Sequence, residues 1–202
     1  MNNKIENIII GNYPSFQIKL SDAYYSDNGY IFGNIHIIIN KKIIGDNNSI
    51  NLINATTILD LSLTLSRADC YTPKVPNEVF FSSKEYIINK AFLPFVNHHE
   101  YQAIKNFLID KKVSFDTPFG GSSAFELVSG FILQSENQEK LRILWKNGRN
   151  MNDEIYDEFI DYKEYYSTLI FFLDEIEEII EKYSLTNSHL VELKKIHSMF
   201  NI

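Results

Sequence analysis

The N-terminal quarter of the chain alternates apolar and polar residues, which predicts antiparallel β-strands. A short apolar run at 8–10 predicts a first strand, and the next strand carries three alternating apolar residues, Phe16, Ile18 and Leu20. The longest alternation lies between residues 29 and 40, and four isoleucines are expected on its buried face: Ile31, Ile35, Ile37 and Ile39. Asn40-Lys41-Lys42 then predicts a hairpin turn into Ile43-Ile44.

The middle and the end of the chain repeat apolar residues every three or four positions, the spacing of amphipathic helices. We expect helices over 54–67, after Ser82 and over 98–110. The helix after Ser82 is expected because Ser82 and Glu85 have the spacing of a capping box. A second hairpin should lie between residues 125 and 145, with its loop at 135–139. The C-terminal third should be helical, with one apolar face between residues 166 and 183 and a short helix after Thr186.

These elements together predict an α+β fold. It should contain an antiparallel β-sheet of about five or six strands packed against several helices, with a helical C-terminal third. The length of 202 residues suits one domain. We place a single α+β domain at 1–184 and a C-terminal helical extension at 185–202.

Cysteine content and apolar runs predict a cytoplasmic protein without a membrane segment. The chain has a single cysteine, Cys70, so an internal disulfide cannot form. The apolar run at 8–10 is too short for the core of a signal peptide. The longest helical apolar stretch, 165–183, is interrupted by five carboxylates and is therefore unsuited to crossing a bilayer.

The negative charge of the chain is concentrated in one segment. The formal net charge is −7, and residues 150–182 hold 11 acidic residues and two lysines, a local balance of −9 that leaves +2 for the rest. Such a surface repels the phosphates of nucleic acids and attracts a basic protein. The simpler interpretation is that these carboxylates form the solvated side of an amphipathic helix.

The sequence contains no complete catalytic or cofactor motif. GxSxG, GxGxxG and GxxxxGK[ST] are absent. His98-His99-Glu100 is the only local cluster of metal-type side chains, but adjacent histidines on a helix point about 100° apart. We therefore expect no enzymatic activity, no metal and no cofactor. The alternative is a small-ligand-binding protein or enzyme that uses the Gly120–Ser123 loop with His98 or His99.

The order of these motifs resembles that of immunity protein family 42, predicted immunity proteins encoded beside bacterial polymorphic toxins. The resemblance extends over residues 8–183. The motifs that carry it are Ile9-Ile10-Gly11-Asn12, Phe16-Gln17-Ile18, Gly33, the hairpin from Ile39 to Asp46, Phe80-Phe81-Ser82, Phe125-Glu126-Leu127 with Leu133, and Leu141-Arg142-Ile143-Leu144-Trp145. A leucine-rich helix between the two halves and the acidic helical end also fit.

The resemblance implies an inhibitor that binds and blocks a cognate toxin stoichiometrically, with no catalytic residues to assign. A basic toxin would be attracted by the acidic segment, and aromatic side chains make good interface anchors. We predict a contact surface of tyrosines and neighbouring carboxylates: Tyr156, Asp157, Asp161, Tyr162, Glu164 and Tyr165. In one alternative these tyrosines complete the core. In another the protein is a structural adaptor that docks through its C-terminal helices.

Overall fold

The structure is a computed structural model that describes residues 3–44, 51–53, 74–75, 77–85, 128–135, 139–147 and 154–185. Within these ranges the alternating N-terminal segments form a six-stranded sheet of antiparallel pairs. Its strands are β1 (Asn3–Lys4), β2 (Ile8–Asn12), β3 (Phe16–Tyr25), β4 (Ile31–Ile39), β5 (Lys42–Ile44) and β6 (Asn51–Ile53). Strands β1 and β2 both pair with the edge of β3 that faces away from β4.

The predicted buried face of β4 is confirmed. Its four predicted isoleucines are buried, and three of them lie opposite buried apolar residues of β3 in the pairs Phe16–Ile39, Ile18–Ile37 and Leu20–Ile35. The predicted hairpin into β5 is confirmed as well. Asn40 and Lys41 have φ values of 47° and 71°, the left-handed pair of a two-residue type I′ turn.

The later strands form a second, four-stranded sheet, whereas the sequence predicted one sheet of about five or six strands. Its members are β7 (Lys74–Val75), β8 (Val128–Ser135), β9 (Lys140–Asn147) and β10 (Tyr156–Asp161), in the order β10-β9-β8-β7. The β7–β8 pair is parallel and the others are antiparallel. A short helix, α1 (Asn77–Phe80), follows β7. The β8–β9 hairpin was predicted, but residues 156–161 were expected in the helical end.

Strand β9 is buried on both faces. Five consecutive residues, 141–145, are buried, although the period-two pattern predicted burial only for Leu141, Ile143 and Trp145. Those three belong to the main core, and Arg142 and Leu144 alternate with them on the opposite face.

The long helix α2 (Tyr162–Lys182) confirms the predicted helical end from residue 162 onward. Its apolar stripe packs on the first sheet beside β2 and β3, and the core contains side chains of both sheets and of α2. Gly11 allows the close approach: a Cβ there would lie 2.8 Å from Thr168 Cγ2 and 2.3 Å from the Phe16 carbonyl oxygen. After Lys182, Ser184 adopts a left-handed φ of 51°, and the Leu185 amide donates to the Ile180 carbonyl.

Several predictions lie outside the described residues: the helices over 54–67 and 98–110, and the helix after Thr186. For the helix after Ser82, residues 84–85 are helical where the described range ends. The extension predicted at 185–202 is described only at Leu185, which packs against the core.

Tyr165 supplies a test of the packing between α2 and the first sheet. Its ring lies 4.7 Å from that of Phe16, and burial raises the pKa of its hydroxyl. A raised pKa in the folded state means that the native state loses stability as the pH rises above about 10, the ordinary value for tyrosine. In urea denaturation from about pH 9 to 11, we expect the free energy of unfolding to fall more steeply for the wild type than for Tyr165→Phe. Tyr13→Phe, at a residue 64% exposed, is the control and should follow the wild type; parallel curves for all three proteins would contradict this assignment.

Candidate partner-binding surface

The six residues predicted to contact a partner lie where β10 ends and α2 begins. Tyr156 and Asp157 start β10, Asp161 ends it, and the other three occupy the first turn of α2. We call residues 156–165 the β10–α2 junction. The sequence placed them all in an acidic helical end, and the change from strand to helix at Asp161 directs their side chains to different surroundings.

The three predicted tyrosines are packed to different degrees. Tyr165 is 3% exposed and belongs to the core, which corrects its assignment to a contact surface. Tyr156 is half-buried, with its ring 5.1 Å from that of Trp145, and its pKa is raised by burial and by the negative charge of Glu154. Tyr162 is half-buried and its ring stacks on that of Tyr166. Core completion, the alternative interpretation, therefore describes Tyr165.

Asp157 is engaged by a buried arginine that the sequence analysis did not single out. Arg142, with 3% of its side chain exposed, donates from Nε and Nη2 to the two oxygens of Asp157 at 2.8 and 2.6 Å. Its Nη1 donates to the carbonyl oxygens of Phe80 and Ser82 at 2.6 and 2.7 Å. The guanidinium also lies 5.3 Å from the Phe159 ring. This set of contacts, the Arg142 network, joins β9, β10 and the segment after α1.

The other carboxylates of the β10–α2 junction also have partners within the protein. Asp161 caps α2, because its side chain accepts from the amides of Lys163 and Glu164. Glu164 accepts from the Ser15 hydroxyl at 2.7 Å. Glu158 pairs with Lys42 and accepts from Asn40 Nδ2 at 2.6 Å, which ties β10 to the β4–β5 hairpin. These three carboxylates are therefore engaged within the fold, and Lys42 balances the charge of Glu158.

The remaining acidic charge lies on the C-terminal half of α2. Residues 174–182 carry five carboxylates and one lysine, a local balance of −4. Glu175, Glu178 and Lys182 are exposed and lie at a spacing of three and four residues, so they share one stripe of the helix. This stripe borders β2, and it forms a second, separate part of the acidic segment.

A groove runs between β2, with the residues just before it, and the C-terminal half of α2. Its volume is about 590 Å³. Six of the residues that line it are Glu6, Ile9, Glu175, Glu178, Glu181 and Lys182. We call it the β2–α2 groove; these six residues have a charge balance of −3, and the Ile9 side chain is 55% exposed.

Exposed aromatic residues form a further surface feature around the Arg142 network. Phe81 and Phe159 are 54% and 41% exposed, and their rings stack with centroids 6.3 Å apart. Both rings contact the buried ring of Phe80 edge-on. Phe159, the member of the pair that lies over the Arg142 guanidinium, connects this aromatic surface to the Arg142 network.

Two sequence signals could have located these features. Arg142 stands alone within the apolar run 141–145, and an arginine in a buried strand requires a charged partner. Asp161 and Glu164 have the three-residue spacing that marks the start of a helix. This spacing would have placed the start of the C-terminal helix directly after Asp161.

The residues of the small-ligand alternative, Gly120–Ser123 with His98 and His99, lie outside the described residues, as does Cys70. In the part of the chain that the structure describes, no group of three or more His, Cys, Asp or Glu side chains could hold a metal ion. None of the described helices has the length and apolar content needed to cross a membrane.

Asp157→Ala tests whether the Arg142 network stabilises the fold. The substitution leaves a buried guanidinium without its carboxylate, which should cost about 3 kcal/mol and lower the melting temperature by roughly 6–12 °C. Glu139→Ala is the matched control, because it also removes one carboxylate from an ion pair. The pair is exposed, with 68% of the Glu139 side chain and 74% of the Lys163 side chain accessible to solvent. Thermal unfolding should show almost no change for this control. Equal losses for the two variants would refute a special role for Arg142.

Comparison with known proteins places the chain in a family. The family model described as immunity protein 42 matches residues 8–175, more than four-fifths of the chain. No curated protein and no solved structure gives a significant match. The match covers the second sheet, every strand of the first sheet except β1, and most of α2, and it confirms the resemblance found in the sequence. The chain belongs to the immunity protein 42 family.

Proposed function

We propose that the protein neutralises a cognate bacterial toxin by forming a stoichiometric complex with it, and that it does so without catalysis. Membership of the immunity protein 42 family is the observation that carries this proposal. An immunity protein that blocks its toxin needs a surface complementary to that toxin, and it needs no reactive centre of its own. We propose the cytoplasm as the place where the two proteins meet.

The charge distribution supports a basic toxin as the partner. The segment 150–182 has a balance of −9, and part of this charge faces outward from α2. A surface of this sign accelerates association with a cationic protein and disfavours nucleic acids and anionic lipid headgroups. We therefore propose a protein partner rather than a nucleic acid or a membrane.

The internal contacts of the carboxylates favour the C-terminal half of α2 as the part of the acidic segment that binds the toxin. In the β10–α2 junction, the carboxylates of Asp157, Asp161 and Glu164 already accept hydrogen bonds from the protein itself. Breaking those bonds to bind a toxin would cost stability. Of the six predicted contact residues, the half-buried rings of Tyr156 and Tyr162 are the parts that a partner could cover without disrupting the core.

Binding is tested with a catalytically inactivated form of the toxin encoded by the neighbouring gene. We expect a one-to-one complex by calorimetry and size-exclusion chromatography, and growth rescue when the protein is produced together with active toxin. The association rate constant should fall about tenfold between roughly 50 and 500 mM NaCl, because long-range attraction is screened.

Two results would remove the proposal. One is the absence of any complex at micromolar concentrations together with no rescue of growth. The other is rescue by substoichiometric amounts of the protein with chemical alteration of the toxin, which would indicate an enzyme.

A further inference from the structure

We propose that the β2–α2 groove binds a basic, extended segment of the toxin, which adds to the edge of β2 as a further antiparallel or parallel strand. This inference rests on the proposed function and assigns it to one part of the surface. Three independent features carry it. They are the β2 edge that no described strand pairs with, the charge of the groove, and the different surroundings of the two faces of β2.

Strand β2 offers a sheet edge. Among the described residues it pairs only with β3, so alternate residues direct their N–H and C=O groups away from the sheet. Natural edge strands are commonly protected from pairing by lysine or proline. The sequence of β2, Ile-Ile-Ile-Gly-Asn, contains neither. Such an edge can accept an extended peptide through main-chain hydrogen bonds.

The carboxylates around the groove define the charge of the segment that it accepts. Glu6 lies on the β2 side of the groove, and Glu175 and Glu178 lie on the α2 side. All three side chains are exposed. Like charges held on the two sides of one groove repel each other, and a cationic segment between them relieves that repulsion. An acidic segment is excluded for the same reason.

The two faces of β2 predict the side-chain pattern of the bound segment. Ile8 and Ile10 lie opposite Leu20 and Ile18, so they face the core and α2, whereas Ile9 lies opposite Lys19 on the other face. A strand added beside β2 would place alternate residues near the α2 carboxylates and the others beside the exposed Ile9. The expected segment therefore alternates lysine or arginine with apolar residues over about five positions, a length of roughly 17 Å.

A second copy of the chain is a poor occupant of the same edge. Pairing β2 with β2 would bring Glu6, Glu175 and Glu178 of both copies into one region, which electrostatic repulsion opposes. The charge that selects a basic toxin segment thus also discourages self-association through this edge.

The test measures the dissociation constant for the inactivated toxin with charge-reversed variants of the full chain. Glu175→Lys/Glu178→Lys should weaken binding by about 30-fold or more, because two attractions become repulsions. The control Glu78→Lys/Glu85→Lys makes the same change in net charge at exposed positions outside the groove and should alter binding less than about threefold. Ile9→Ala should weaken binding about fivefold through the lost apolar contact.

The outcomes separate this inference from the proposed function. If wild-type protein fails to bind the toxin at all, the proposed function fails. If it binds and both charge-reversed variants bind equally well, or lose affinity equally, the groove is not the site and the inference is overturned. Thermal unfolding verifies that each variant is folded; the Ile9→Ala variant keeps all carboxylates and tests the groove even if a charge reversal destabilises the helix. A wild-type dimer that Ile9→Ala dissociates would assign the edge to a second copy and also overturn the inference.

Discussion

The buried guanidinium of Arg142 is the constraint on which the arrangement of the second sheet depends. A charged group with 3% of its side chain exposed must be neutralised and hydrogen-bonded within the protein. Asp157 provides the charge from β10, and the carbonyl oxygens of Phe80 and Ser82 accept from the remaining donors. These contacts hold β10 against β9 and attach the segment after α1 to the same sheet. With β10 fixed in this way, its last residue, Asp161, caps α2, whose apolar stripe lies over β2 and β3.

This arrangement separates the carboxylates of the acidic segment 150–182 into two groups, which the net charge alone does not distinguish. Around the β10–α2 junction the carboxylates cap a helix, neutralise Arg142 and Lys42, and accept from Ser15. Farther along α2, Glu175 and Glu178 point away from the core and border the β2–α2 groove. The first group stabilises the fold, and we propose that the second group recognises the toxin. The family match over residues 8–175 does not indicate which surface binds the toxin, whereas the contacts of the carboxylates distinguish the two groups.

The parts of the fold with one buried face could be predicted from the sequence. Ile35 and Ile37 alternate with polar residues in β4, and the stripe of α2 repeats every three or four residues, so periodicity alone identified both. Periodicity did not identify both buried faces of strand β9, because Arg142 is buried whereas a polar residue in a strand is normally expected to be exposed. Strand β10 cannot be told from helix by its sequence, since its six residues are too few to show a period and carry three carboxylates. For the candidate surface, net charge identified the acidic segment. The partners of its carboxylates could not be anticipated from local sequence, because Ser15 and Lys42 lie 149 and 116 positions from Glu164 and Glu158.

Hydrogen–deuterium exchange of the free protein and of its complex with inactivated toxin tests most directly where recognition occurs. Toxin that adds a strand to β2 should slow amide exchange in residues 8–12 and around 174–182, since β2 gains hydrogen bonds and the acidic part of α2 loses solvent. Residues 156–165 should exchange at nearly the same rate in both states. Protection confined to residues 156–165, with β2 unchanged, would contradict the account.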